Sequence, residues 1–231
     1  MAKLFFSVDV HGASSVWRKW LRIPELYGVD ALLLCGDLTG KSLVPIIAQG
    51  NGKHAAFYFG KNWMLAEGSE LDEMEQRIQN AGAYTLRCDR DRVQELQDSS
   101  GEVERLMLAM IKERLSQWME MLLEKIDVGR IDVIVMPGND DDFEIDDVIQ
   151  SCGDRGIRWC LDGVVEVLGI PMISLDHVNP TPWDTPREES ERALGKRIKK
   201  LSMSSNLIVF TRVVSIKCVC NTCDYKYYQC P

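Results

Sequence analysis

The sequence predicts an α/β fold, in which short buried strands alternate with amphipathic helices. Three apolar runs, 4–8, 31–35 and 131–136, have the length of buried strands. Between and after them, apolar residues recur at helical spacing, as over 14–26, 69–81 and 102–126. A chain of 231 residues, 45% of them apolar, can bury one sizeable core of this kind.

Each of the three apolar runs ends in residues that can bind a metal ion. They are followed in turn by Asp9 and His11, by Gly36 and Asp37, and by Gly138 and Asn139. Asp9 and His11 share one face of an extended chain, so both can contact one ion, although a surface turn is the more common explanation of such a pair taken alone. Ligands of open α/β sheets bind beyond the carboxyl ends of the strands. Recurrence at three strand ends therefore favours a metal site.

The order of these motifs resembles that of the calcineurin-like metallophosphoesterases. Members of that family carry Asp-x-His, Gly-Asp and Gly-Asn-His-Asp/Glu motifs, then a lone His and a final Gly-His-x-His. The resemblance covers about residues 3–211 and implies a sandwich of two mixed β-sheets flanked by helices. It also implies two divalent ions (Mn2+, Fe2+, Zn2+ or Ni2+). Asp9 and His11 would hold the first ion, Asp37 would bridge, and Asn139 would hold the second.

The resemblance further implies catalytic roles for His11 and for Asp140, which stands where many members have a catalytic His. An ionised Asp140 repels a dianionic monoester more than a monoanionic diester, which favours phosphodiester substrates. The C-terminal part departs from the family, because Arg212 occupies the place of the lone His and no Gly-His-x-His follows. Only His54 and His177 remain as other imidazole ligands.

This departure leaves two functions open. One is a metal-dependent phosphoric ester hydrolase, and the other is an incomplete phosphoesterase-like domain that acts as a binding module or is inactive. Because the ligand set is short of imidazoles, we expect slow or no hydrolysis of model phosphodiesters. A phosphate ester is the expected partner, and an oligomer is not excluded.

The expected domain organisation is a phosphoesterase-like domain over 1–211, C-terminally incomplete, and a Cys-rich tail over 212–231. Within the domain, a helical insertion at about 85–128 contains the long helix 102–126, which we expect to protrude or to cap the site. The tail contains Cys218, Cys220, Cys223 and Cys230. The spacing of these four cysteines allows a structural zinc site. The other interpretations of the tail are a segment foreign to the domain and an ordinary divergent terminus.

The remaining elements are strands at 55–59, 164–168, 171–175 and 207–211 and a helix from Thr185 to Lys200. Ser99 and Glu102 fit a capping box for the long helix.

Charge and hydropathy exclude several functions. A net charge of -8 argues against a nucleic-acid or anionic-membrane surface, since phosphate backbones require clustered Lys and Arg. No signal peptide and no run of about 20 apolar residues is present, so we expect no membrane contact and a cytoplasmic location with reduced thiols.

Overall fold

The computed structural model describes residues 2–201 and 208–211, and the architecture is α/β with mixed sheets. The strands are β1 (Leu4–Ser7), β2 (Ala31–Cys35), β3 (Leu43–Gly50), β4 (Lys53–Tyr58), β5 (Lys61–Ala66), β6 (Tyr84–Cys88), β7 (Asp132–Met136), β8 (Ile157–Arg158), β9 (Val164–Val167), β10 (Ile170–Leu175) and β11 (Ile208–Thr211). The helices are α1 (Ser14–Trp20), α2 (Ile23–Tyr27), α3 (Ser69–Asn80), α4 (Arg90–Asp98), α5 (Ser100–Lys125), α6 (Asp146–Gln150) and α7 (Glu191–Leu201). Arg212 and the Cys-rich tail lie outside the described residues.

The first sheet has the order β1-β2-β7-β8 and is parallel throughout. All five residues of β2 are buried, because both faces of the sheet are covered. Leu32 and Leu34 face the helices, whereas Leu33 faces the second sheet. The apolar runs at 31–35 and 131–136 are therefore central strands, as their composition predicts.

The second sheet has the order β11-β10-β9, with β10 parallel to β11 and antiparallel to β9. Its residues Val167 and Met172 belong to the same buried cluster as Leu33 and Met136 of the first sheet. The two sheets thus pack face to face, and the strands predicted at 164–168 and 171–175 form the expected antiparallel pair.

A third sheet, β5-β4-β3-β6, was not predicted beyond the strand at 55–59. It packs with α3 around a core of its own that includes Ile46, Leu71 and Ile78. Its strands alternate between buried and exposed residues, and β3 contains Pro45. These half-exposed strands lack the continuous apolar runs that identify the strands of the first sheet.

The predicted long helix is present as α5, but the expectation that it protrudes or caps the site is wrong for its C-terminal half. Leu115, Trp118 and Leu122 are buried in the main core. The Trp118 ring stacks on Trp17 of α1, with 4.8 Å between ring centroids. The helix therefore covers the first sheet.

The expected capping box at the start of α5 is also absent. The Ser99 side chain makes no capping hydrogen bond, and the Glu102 carboxylate accepts from Arg92 Nη2 of α4 instead, at 2.6 Å. An arginine from the neighbouring helix has thus replaced the local interaction.

Two other predicted helices have different limits. The segment 14–26 divides into α1 and α2, where Pro24 in the first turn of α2 has no amide hydrogen to continue the helix from α1. The last helix begins at Glu191 instead of Thr185. Within the described ranges, no helix is both long and apolar enough to cross a membrane.

Truncation of a core residue of α5 tests its role as core. Leu122→Ala should lower the free energy of unfolding by about 2 to 5 kcal/mol, because it leaves a cavity under the first sheet. Leu123→Ala, the same change at a partly buried position, should cost clearly less. Urea unfolding followed by circular dichroism measures both. Equal losses would contradict the packing of α5 described above.

Candidate metal centre

The loops that follow β1, β2 and β7 meet at the carboxyl end of the first sheet. The Asp9 amide donates to the Gly36 carbonyl at 3.1 Å, and the His11 amide donates to the Asp37 carbonyl at 2.8 Å. The third loop approaches just as closely, since a Cβ on Gly138 would lie 2.1 Å from the Asp37 nitrogen. Only glycine fits at position 138, and this contact sets the spacing of the second and third loops.

Three of the predicted metal ligands, Asp9, His11 and Asp37, form one cluster. Each offers one ligand atom, and these atoms all lie within 4.8 Å of one another. His11 Nε2 is 3.7 Å from Asp37 Oδ2. The Asp37 side chain is buried, whereas His11 is exposed to the pocket. Two carboxylates and one imidazole suit a divalent first-row transition metal, so the residues present fit such an ion.

The same three residues have an unusual backbone conformation. The φ angles of Asp9, His11 and Asp37 are 63°, 46° and 35°, in the left-handed region that non-glycine residues rarely adopt. Such residues cost free energy and persist only where the surrounding structure enforces them, most often at functional sites. Of the eight non-glycine residues with positive φ in the described part of the chain, three are these residues and a fourth, Asp184, lines the same pocket, so left-handed backbone is concentrated at the site although it is not confined to it.

Asn139, the fourth predicted ligand, lies beside the cluster. It is buried and lines the same pocket as His11 and Asp37. Its Nδ2 donates to Thr185 Oγ1 at 3.0 Å, and its carbonyl accepts from the Arg187 amide at 3.1 Å. The first contact fixes the side chain, whose Oδ1 is the only amide atom that can bind a cation, and the second holds the backbone carbonyl.

The predicted catalytic residue Asp140 also lies in the pocket. Its amide donates to Asp37 Oδ1 at 3.2 Å, so it orients that carboxylate. Burial raises the pKa of the Asp140 carboxyl, the Lys41 ammonium opposes this shift, and the charge of Asp37 adds to it. Lys41 Nζ is 3.9 Å from Asp140 Oδ1. Nothing in the sequence predicts that Lys41 lies beside the site.

Asp141 holds the site together, a role that the sequence did not reveal. Its side chain is fully buried, and it accepts four hydrogen bonds from the loops after β2 and β7. The donors are the amides of Leu38 (2.9 Å), Thr39 (2.9 Å) and Gly138 (2.8 Å) and the hydroxyl of Thr39 (2.7 Å). Asp141 therefore joins the loop after β2 to the loop after β7.

Arg187 is the second structural residue that sequence reasoning missed. Its guanidinium is buried and donates to Asp176 Oδ2 at 2.6 Å, to Asp146 Oδ1 at 2.6 Å and to the Asp141 carbonyl at 2.8 Å. It also lies 4.5 Å from the centre of the Phe143 ring. This one cation joins the end of β10 to the loop after β7. The segment 185–188, predicted as helix, is instead a loop that places Arg187.

The structure does not bring the two remaining histidines to the cluster. His177 Nδ1 pairs with Asp176 at 2.6 Å, and its Nε2 faces Glu189 at 3.8 Å. His54 lies on β4 of the third sheet, opposite Leu65. Among the described residues, Asp9, His11 and Asp37 are the one group of three or more His, Cys, Asp or Glu side chains arranged to hold a metal.

The cluster opens into a pocket of about 410 Å3. Its far wall is the loop after β10, including Val178, Thr181 and 183–186. This loop is folded around the Glu188 carboxylate, which accepts from the amides and hydroxyls of Thr181 and Thr185 at 2.5 to 2.9 Å. Hydrogen bonds from the Thr181 hydroxyl and amide, and then from the Thr185 amide, lower the pKa of Glu188 to about 2.

Comparison with known proteins adds little to this geometry. No protein-family model matches the chain, and no curated protein matches it either. One solved structure is similar over 90% of this chain, with 12% sequence identity and a TM-score of 0.49. The chain spans 66% of the length of that structure. The interpretation of the site rests on the contacts of this chain.

Removal of the Asp141 charge tests its structural role. Asp141→Asn should lower the free energy of unfolding by about 2 to 4 kcal/mol, because one buried carboxylate oxygen becomes an amide that faces N–H donors. Asp142→Asn, at the partly exposed neighbouring position, should change it by less than about 1 kcal/mol. Chemical denaturation at pH 7 measures both, and comparable effects would contradict the role given to Asp141.

The low pKa of Glu188 predicts a pH dependence of stability. The folded-state pKa of about 2 lies below the ordinary value of 4.5, so the stabilisation is fully present above pH 4.5 and is lost as the pH falls towards 2. Glu188→Gln should therefore destabilise the protein at pH 7, and the difference from the parent should shrink between pH 4.5 and 2. Denaturation curves over this range measure it. A constant difference would show that ionised Glu188 does not hold the loop.

Proposed function

We propose that the protein is a metal-dependent phosphoric ester hydrolase that acts on phosphodiesters. The observation that carries the proposal is the cluster of Asp9, His11 and Asp37 at the wall of an open pocket, at the carboxyl end of a parallel sheet. This is the edge at which α/β proteins bind their ligands. The strained backbone of all three residues supports a binding role over a chance arrangement of surface acids.

The donor set allows one or two divalent ions. Asp9, His11 and Asp37 would hold the first, and Asp37 with Asn139 would contribute to a second. Asp37 suits a shared position, since its Oδ2 faces His11 while its Oδ1 accepts from the Asp140 amide. When bound, the metal supplies Lewis acidity and lowers the pKa of a water molecule towards neutrality.

The protein residues around this position determine which phosphate esters fit. The carboxylates of Asp37, Asp140 and Asp184 line the pocket, and Lys41 Nζ, 3.9 Å from Asp140 Oδ1, offsets part of the charge of Asp140. With the charge of Asp37 compensated by a bound metal, Asp140 still repels a dianionic monoester more than a monoanionic diester. Asn139, held by Thr185, and Asp37, held by the Asp140 amide, keep their orientation without a ligand, so little ordering is required on binding.

A second candidate is a phosphoesterase-like domain that binds metal and phosphate but does not turn over. One observation favours it: in the described part of the chain a single group of three His or Asp side chains is arranged to hold an ion, while His177 is engaged with Asp176. The two candidates differ in metal stoichiometry, because dinuclear hydrolysis needs two ions per chain.

Substitution of the two carboxylate ligands tests the proposal. Asp37→Asn should weaken Mn2+ binding more than Asp9→Asn, because a shared carboxylate serves two ions. The Mn2+ affinity of Asp37→Asn should fall by more than about 100-fold, which is the upper limit for residues that only support a ligand. Calorimetric titration measures the affinities, with Asp154→Asn at an exposed position as control.

The same proteins are then assayed with bis-p-nitrophenyl phosphate. Turnover that requires metal and disappears in Asp37→Asn supports the hydrolase. A parent protein that binds one ion per chain and shows no turnover would establish the binding module instead. Equal losses in the two carboxylate variants would contradict a bridging Asp37.

A further inference from the structure

Trp183 stands apart from the other tryptophans of the chain because it is exposed. Its exposed fraction is 79%, whereas Trp17, Trp20 and Trp118 are at most 4% exposed. Trp183 lines the same pocket as His11 and Asp37. A large aromatic side chain left in water beside a polar pocket is a candidate ligand contact, since tryptophans are otherwise highly buried on average.

The position of Trp183 is fixed by its loop. Its amide donates to Thr181 Oγ1 at 3.2 Å, and Thr181 is in turn bound by both oxygens of Glu188. Thr185 on the other side of Trp183 is held by the same carboxylate and contacts Asn139. The loop that presents the indole is therefore connected by hydrogen bonds to the metal-binding loops. These bonds hold the backbone of the loop, and the indole itself has only two rotatable side-chain bonds, so ordering it on a ligand costs little entropy.

Charge restricts what can lie against this indole. The acidic groups of the pocket, including Asp37 and Asp140, attract cations, so a phosphate must bind on the metal side. Near Trp183 the pocket is lined by Val178, Thr181 and Pro186, which are uncharged, and by Asp184. A volume of about 410 Å3 is large enough for a phosphate and one ring system. A phosphate at the metal end of the pocket, joined to a flat, neutral, aromatic group at the Trp183 end, fits both ends.

We propose that Trp183 is a substrate-binding residue that stacks on an aromatic ring carried by the phosphate ester, as in a nucleotide. This inference rests on the proposed function and names its substrate class. Stacking of a base on an aromatic side chain is tolerant of the identity of the base, because every base presents a π-face. The site thus selects for a ring beside the phosphate and not for one particular base.

Equilibrium binding tests the proposal without any need for turnover. The full chain loaded with Zn2+ is titrated with the methyl diesters of adenosine 5′-monophosphate, phenyl phosphate and ribose 5-phosphate, because the proposed function favours diesters; each ligand is called by the name of its parent phosphate. Adenosine 5′-monophosphate should bind about tenfold more tightly than ribose 5-phosphate, and Trp183→Ala should remove this difference. Phe59→Ala, which removes an aromatic ring that is 78% exposed in the turn between β4 and β5, is the control and should retain it. In protein labelled with 5-fluorotryptophan, the resonance that Trp183→Phe removes should shift with the ring-bearing ligands.

The outcomes separate this inference from the proposed function. A gain for phenyl phosphate as well as for adenosine 5′-monophosphate identifies any aromatic ring as the ligand, and a gain for the nucleotide alone identifies a base. Equal affinities for the nucleotide and ribose 5-phosphate, or a preference that survives in Trp183→Ala, would overturn the proposal. A preference for ring-bearing ligands in a protein that shows no hydrolysis would support the stacking role of Trp183 and contradict the proposed hydrolase. Hydrolysis without such a preference would support the hydrolase and contradict the stacking role.

Discussion

The carboxylate of Asp141 is the interaction on which the candidate site depends. It gathers backbone amides from two loops that lie about a hundred residues apart in the sequence. Hydrogen bonds to a buried charged group are stronger than neutral ones, and they allow Gly138 to approach Asp37 closely. The carbonyl of the same residue accepts from Arg187, which extends the network to the end of β10. One residue thus connects the ends of strands in both facing sheets.

The electrostatics of this arrangement explain why a cation fits it. Asp37, Asp140 and Asp141 lie close together, and the charges of Asp37 and Asp141 help to raise the pKa of Asp140. Arg187 compensates Asp146 and Asp176 on the far side of the network, and Lys41 reaches only the rim. A divalent ion bound between the first two loops would be the largest charge in the site. It would offset the repulsion among these carboxylates, so metal binding would stabilise the folded protein.

Sequence reasoning identified the elements whose signal is local. Buried strands such as β2 are continuous apolar runs, and their polar ends are visible in the sequence, so Asp9, His11, Asp37 and Asn139 could be predicted to converge. Asp141 and Arg187 could not, because their roles consist of contacts to backbone atoms far along the chain. The half-exposed third sheet has no continuous apolar runs to identify most of its strands. The Thr, Pro and Glu of the segment 185–188 are typical of the first turn of a helix, but the hydrogen bonds of Glu188 favour a loop.

The left-handed backbone at Asp9, His11 and Asp37 lowers the stability of the loops that follow two well-packed strands. Glycine at these positions would relax the chain and remove a ligand in the same step. Directed evolution for heat resistance alone would therefore tend to enrich variants that fold better and no longer hold an ion. Libraries of this protein should be screened for metal binding as well as for thermal stability, since selection for one opposes selection for the other at these three residues.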